Sequence, residues 1–254
     1  MKTVRLNHIE HRSGSRLARK LPVTSALALM LAGLVLVSVE RLAQAKPDAI
    51  ITVNTLVDTV ANDGVCSLRE AIQSANAGMP IGNCASGAGL DTIVITATGT
   101  IVLGSDLPAL VQDVVIVGPG PESLTISGNN AVRVISVTTG INVNLSEVTL
   151  ANGNAASENG GAIYNRGTLT ISHVTLVNNT AHLGGGISNL GSLNMTSTAV
   201  YNNSSSNVGG GIYNIGTLTV TNSALYSNTA SNGGGIYSNL GVITIDRSAL
   251  YGNV

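Results

Sequence analysis

The apolar residues in the second half of the chain return at a regular interval. Four segments align, and they begin GGAIYN at Gly160, GGGISN at Gly184, GGGIYN at Gly209 and GGGIYS at Gly233, a period of 24 or 25 residues. One apolar column is formed by the isoleucines that follow these glycines: Ile163, Ile187, Ile212 and Ile236. Self-similarity at this period predicts a repeat architecture in which each coil packs on its neighbours.

The spacing inside one repeat is that of β-strands. Leu169 and Ile171 alternate with the polar residues Thr168, Thr170 and Ser172, which is the period of two expected of a strand. One repeat holds about three short strands and cannot cover its own apolar side, whereas repeats stacked at about 4.8 Å per coil form a continuous inner core. The predicted fold class is therefore all-β, a single-stranded parallel β-helix.

Weaker coils precede the clear repeats. Strand patterns recur at residues 114–117, 124–126, 134–137 and 141–145. We therefore expect the β-helix to occupy residues 91–254, with clear coils from residue 160. The chain stops at Val254, late in the fourth clear coil and without a C-terminal cap, a pattern that indicates a fragment whose open edge pairs end to end with another chain.

A polar column accompanies the apolar ones. Its members are Asn179, Asn203, Asn228 and Asn253. Asparagines in the same turn of successive coils can hydrogen bond along the stack. We interpret this column as a structural ladder and not as a ligand site.

One segment breaks the strand pattern. Ser67 and Glu70 have the spacing of a capping box, apolar residues at helical spacing follow, and Gly78 ends the pattern, which predicts a short helix over residues 68–77. Residues 46–90 would then form an N-terminal cap over the apolar end of the stack. Cys66 and Cys84 flank this helix; in an oxidising compartment they are expected to form a disulfide, and the alternative is two free buried thiols.

The first 45 residues have the pattern of a secretory signal peptide. Six basic residues precede an apolar run over 26–37, and Ala43-Gln44-Ala45 is a small-x-small cleavage site. The alternative is an uncleaved anchor, for which the apolar run is short. Seven of the 12 basic and two of the 13 acidic residues lie in this segment, so the remainder keeps five basic and eleven acidic groups and a formal charge of −6. Such a balance argues against nucleic acid as a partner.

A family resemblance rests on the segment Cys66-Ser67-Leu68-Arg69-Glu70-Ala71-Ile72, followed by Cys84 and by Gly-Leu-Asp-Thr-Ile at 89–93. This segment resembles the CSLREA domain, which lies at the N-terminus of exported bacterial β-helix proteins. The GGGIYN-type repeats resemble right-handed parallel β-helix repeats, including those of polymorphic outer-membrane proteins. The resemblance implies a right-handed solenoid and export to the cell surface, and it implies no agreed activity.

The repeats carry few groups for catalysis or metal binding. From residue 154 onward the charged residues are Glu158, Arg166, Asp246 and Arg247, and no acids recur in one column as paired carboxylates would. We predict no catalytic residue, no metal and no cofactor. The alternative is a polysaccharide-binding or lyase-like β-helix whose chemistry comes from acids of the early coils: Asp91, Asp106, Asp113 and Glu147.

Tyrosines form two columns at positions that should face outward. The first column holds Tyr164, Tyr213 and Tyr237, interrupted by Ser188, and the second holds Tyr201, Tyr226 and Tyr251. Exposed tyrosines could bind glycans or another cell surface. The alternative is that the rings only stabilise the coils by stacking. The sequence thus favours a secreted or cell-surface protein with a structural or adhesive role.

Overall fold

The computed structural model describes residues 48–254, so the predicted signal peptide at 1–45 lies outside the described residues. The strands and the single helix of this part follow the chain in this order: β1 (Ile50–Val53), α1 (Leu68–Ala77), β2 (Asp91–Ile95), β3 (Gly99–Val102), β4 (Val114–Val117), β5 (Leu124–Ser127), β6 (Ile135–Val137), β7 (Asn142–Ala151), β8 (Asn154–Asn159), β9 (Ile163–Asn165), β10 (Thr168–Val177), β11 (Thr180–Leu183), β12 (Ile187–Asn189), β13 (Ser192–Thr196), β14 (Ala199–Tyr201), β15 (Ser204–Val208), β16 (Ile212–Asn214), β17 (Thr217–Thr221), β18 (Ala224–Tyr226), β19 (Ile236–Ser238), β20 (Val242–Asp246) and β21 (Ala249–Tyr251).

The strands pair in parallel and form four rows along the stack. Row 1 has the order β1-β2-β4-β7-β10-β13-β17-β20, and row 2 contains β3, β5, β14, β18 and β21. Because β7 and β10 are long enough to run through a corner, they join these two rows into one 13-stranded sheet. Row 3 is β8-β11-β15, and row 4 is β6-β9-β12-β16-β19. The predicted all-β parallel solenoid is thereby confirmed, with about six turns.

The apolar columns lie in register inside the stack. Ile163 is paired with Ile187, Ile187 with Ile212, and Ile212 with Ile236. The first three isoleucines are fully buried, and Ile236 is partly buried because it belongs to the last described coil. Burial of an aliphatic side chain contributes roughly 1.5–3 kcal/mol, so several such columns per coil account for the cohesion of the stack.

Left-handed backbone conformations turn the chain at the corners. The first corner, between rows 1 and 2, is made by Glu147, His173, Ser197, Asn222 and Arg247, whose φ angles are 45–59°. A second corner, after row 2, is made by Asn152, Asn178, Asn202, Ser227 and Gly252. The glycine that opens each repeat forms a third corner; a Cβ on Gly184 (φ 66°) would overlap the carbonyl of Ile187, so only glycine fits there.

The N-terminal segment contributes the helix and also the first strand of the sheet. Helix α1 has the predicted bounds, since Ser67 accepts a hydrogen bond from the Glu70 amide and the Glu70 carboxylate accepts one from the Ser67 amide. Its apolar residues, Leu68 among them, belong to the solenoid core. The expected Cys66–Cys84 disulfide is confirmed, with 4.8 Å between the Cα atoms. In addition β1, which the periodicity did not indicate, pairs with β2.

Arg69 connects this segment to the second coil. Its guanidinium makes two hydrogen bonds to the carboxylate of Asp58, at 2.8 and 2.9 Å, and donates to the carbonyls of Ser105 and Asp106. The side chains of Arg69 and Asp58 are only 12% and 5% exposed. A paired, hydrogen-bonded charge of this kind is costly to break, because the remaining partner would stay buried without compensation.

Candidate surface-binding site

The second tyrosine column is continuous. We call Tyr201, Tyr226 and Tyr251 the tyrosine column; they close β14, β18 and β21 and pair in register. Their rings are parallel, with centroids 4.8 and 5.1 Å apart and interplanar angles of 4° and 3°. Alternation places the preceding residues Val200 and Leu225 in the core, and this alternation directs the rings outward.

Because the rings stack on one another, a ligand can reach their outer ends more readily than their faces. The neighbouring rings cover both faces of Tyr226, so a sugar cannot stack on it. The phenol oxygens lie at the outer ends of the rings, and none makes a hydrogen bond to another residue within 48–254. The tyrosine column therefore presents a row of phenol hydroxyls spaced by about one coil, roughly 4.8 Å. Burial of the ring, and then the neighbouring Tyr201 and Tyr251, raise the pKa of Tyr226 above its usual value of 10.0.

The other tyrosines form an interrupted column in row 4. Tyr164, Ser188, Tyr213 and Tyr237 occupy equivalent positions of four strands. Tyr213 and Tyr237 stack with centroids 6.1 Å apart. The ring of Tyr164 carries two guanidinium groups instead, Arg133 at 5.3 Å and Arg166 at 5.8 Å from its centroid. These rings therefore also use their faces for contacts within the protein.

Ser188, at the interruption, is fully buried although its position faces outward. Its short side chain lies between two tyrosine positions, and its hydroxyl has no hydrogen-bond partner in the described part of the chain. A buried hydroxyl without a partner is uncommon and costs about 1–3 kcal/mol. Ser188 is thus a local weakness of the coil, and the sequence pattern showed only that the tyrosine row is broken there.

Arg133 lines a cleft beside the unpaired edge of β8. The sequence pattern did not indicate this cleft. The cleft has a volume of about 380 Å³ and is lined by Asp106, Arg133 and Glu158 among others. The Arg133 guanidinium contacts the Glu158 carboxylate at 2.6 Å and donates to the carbonyls of Asn159 and Gly160. Its charge is thereby compensated within the protein, and its side chain is only 11% exposed.

The column of asparagines forms a hydrogen-bonded ladder in the turn after row 2. The Asn203 carboxamide oxygen accepts from the Asn179 amide and side chain at 3.0 and 2.9 Å, and Asn228 accepts in the same way from Asn203. Asn253 continues the ladder under Asn228. Asn179, Asn203 and Asn228 are at most 1% exposed, so the ladder is interior.

A second asparagine ladder runs through row 4 and was missed by the sequence analysis. Asn165 donates to the Asn189 carboxamide at 2.7 Å, and Asn189 donates to Asn214 at the same distance. Ser238 takes the fourth position and accepts from Asn214. The signal was present in the repeated Ile-Tyr-Asn motif, because asparagine is otherwise uncommon inside strands.

The acidic residues of the early coils have separate local partners. Asp91 accepts from the Ala88 amide, Asp106 from the Arg133 amide and Asp113 from the Asn142 amide. Glu147 lies 3.4 Å from His173 at the first corner. Farther along, Asp246 and Arg247 form an exposed ion pair at 2.8 Å. Over residues 48–254 no three His, Cys, Asp or Glu residues cluster as a metal site would require.

Within the same residues, no helix has the length and apolar character needed to cross a membrane. Comparison with known proteins gives no match to a family model, to a curated protein or to a solved structure.

Proposed function

We propose that this protein is an exported, right-handed β-helix that has no catalytic role and attaches to glycans of a cell surface. Export is supported by the pattern of residues 1–45, and handedness by the resemblance of the GGGIYN-type repeats to right-handed parallel β-helix repeats. The rigid stack suits a structural role, because interior ladders and apolar columns fix each coil to the next.

The tyrosine column is the observation that carries the adhesive role. Three phenol hydroxyls project from consecutive coils without partners among the described residues. Sugar hydroxyls can donate to and accept from phenols. A row of such groups on a rigid support loses little conformational freedom on binding, because the stacked rings are already held in place. The natural ligand is a neutral, hydroxyl-rich glycan, since the tyrosine column carries no charge.

The test removes hydroxyl groups and leaves the stacked rings. The double variant Tyr226→Phe/Tyr251→Phe is expected to lose binding on an array of neutral cell-surface glycans. The matched control Tyr213→Phe/Tyr237→Phe removes the same number of hydroxyls from the interrupted column and should bind as the parent does. Circular dichroism should show unchanged folding for both.

Two results would contradict the proposal. One is undiminished glycan binding by Tyr226→Phe/Tyr251→Phe. The other is turnover of pectin or alginate that disappears when Asp91, Asp106 or Arg133 is substituted, since it would favour the lyase-like alternative.

A further inference from the structure

The outer side of row 1 is a field of small, uncharged polar side chains from β7 to β17. Leu169, Ile171, Leu218 and Val220 are fully buried, so the residues that alternate with them face outward. In β10 and β17 these are Thr168, Thr170, Ser172, Thr217, Thr219 and Thr221. The strands β7 and β13 place serine, threonine and asparagine in the same columns. We call this field, four strands wide and three columns long, the polar face.

The polar face has two regular repeats. Successive strands lie about 4.8 Å apart, and outward residues along one strand lie about 6.7 Å apart, twice the rise per residue. The field is also stiff, because Thr170 and Thr219 are β-branched and their Cα atoms are fixed by the parallel sheet. Each threonine presents a hydroxyl and a methyl group side by side.

We propose that the polar face binds ice. In ice each oxygen has tetrahedral neighbours at a hydrogen-bond distance of about 2.75 Å, which makes equivalent oxygens repeat at about 4.5 Å in one direction and about 7.3 Å in the perpendicular one. These repeats differ from those of the polar face by roughly 0.3 and 0.6 Å. Over the three strand intervals from β7 to β17 the first mismatch adds up to only about 1 Å, less than half a hydrogen-bond length.

A solid lattice fits this surface better than a soluble polymer does. A single hydroxyl exchanges one hydrogen bond with water for another and gains little. Measurable affinity therefore requires contacts at all positions of the polar face together. A partner that is itself rigid and periodic makes these contacts without losing conformational entropy. The twelve side chains of the polar face include no aromatic ring on which a sugar could stack and no charged group; the nearest carboxylates, Asp113 at Asn142 and Asp246 beside Thr221, lie at its two edges.

The experiment grows single ice crystals in a solution of the full chain and measures their shape and the rate of recrystallisation. The parent protein is expected to produce faceted crystals and to slow recrystallisation. Thr219→Lys, in the middle column of the polar face on its last strand, is expected to abolish both effects because the long charged side chain holds liquid water at the surface. The matched control Thr180→Lys places the same change on an exposed residue of row 3 and should keep full activity.

A second variant, Thr170→Lys, makes the same test in another coil, and circular dichroism checks that every variant is folded. Disc-shaped crystals with the parent protein, as with serum albumin at equal concentration, would overturn the proposal. So would full activity of a folded Thr219→Lys. Binding to insoluble neutral glycan that is lost in Thr219→Lys, without an effect on ice, would assign the polar face to a polysaccharide instead. None of these variants alters the tyrosine column, so this test and that of glycan adhesion fail independently.

Discussion

Replacing Asn203 by alanine should destabilise the solenoid far more than the same change at Asn253. Asn203 is 1% exposed, and its carboxamide connects two neighbouring coils. Its removal leaves the Asn179 amide without its acceptor and the Leu176 carbonyl without the side-chain donor at 3.0 Å. Each buried group left unsatisfied costs about 1–3 kcal/mol, so Asn203→Ala should lose about 4 kcal/mol.

Asn253 supplies the matched control because it makes equivalent bonds at the end of the ladder. It accepts from Asn228 and donates to the Leu225 carbonyl, yet it is only partly buried. Water can replace the lost partners there, so we expect a loss of about 1 kcal/mol.

The measurement is native-state hydrogen exchange at the amides of the row 4 strand in the altered coil, β12 for Asn203→Ala and β19 for Asn253→Ala. Because each coil contacts only its neighbours, exchange there reports the free energy of local opening of the altered coil. Equal losses in the two variants, or a loss below about 1 kcal/mol for Asn203→Ala, would refute the view that the buried ladder stabilises the stack.

Three further predictions concern single positions. Gly210→Ala should destabilise the protein by several kcal/mol in urea unfolding, because its Cβ would lie 2.5 Å from the Thr229 carbonyl oxygen, whereas Gly104→Ala has no neighbour within 4 Å and should be nearly neutral. Ser188→Ala should raise the free energy of unfolding by about 1 kcal/mol, since it removes a buried hydroxyl without a partner among the described residues; a lower free energy of unfolding would contradict this. The raised pKa of Tyr226 favours its neutral form in the folded state. The stability that this shift contributes is complete below pH 10.0 and is lost as the pH rises through the pKa of the folded state. The melting temperature should therefore fall less steeply between pH 9 and 12 for Tyr226→Phe than for the parent protein. An equal fall in the two proteins would refute the role of Tyr226.

The sequence predicted those parts of the fold that repeat or that carry a local signature. The isoleucine columns were predictable because identical phases must stack, and the bounds of α1 followed from Ser67, Glu70 and Gly78. The pairing of β1 with β2 was not predictable, since β1 precedes the repeats and shares no period with them.

Contacts between non-repeating residues lay beyond the sequence pattern. Arg69 binds Asp58 eleven positions away and the carbonyl of Ser105 across a coil, and no spacing rule relates these residues. For the candidate sites, the tyrosine positions followed from alternation, whereas the ring spacing and the burial of Ser188 depend on how neighbouring side chains fill space.

The five residues of the first corner share a backbone conformation but differ in their side chains. Glu147, His173, Ser197, Asn222 and Arg247 share one left-handed conformation, although they span acid, base and neutral polar chemistry. Neither the core nor the ladders constrain what stands there. These positions can therefore hold different side chains that tolerate a positive φ, and an engineer could replace them, one per coil, to display new groups along the molecule without disturbing its interior.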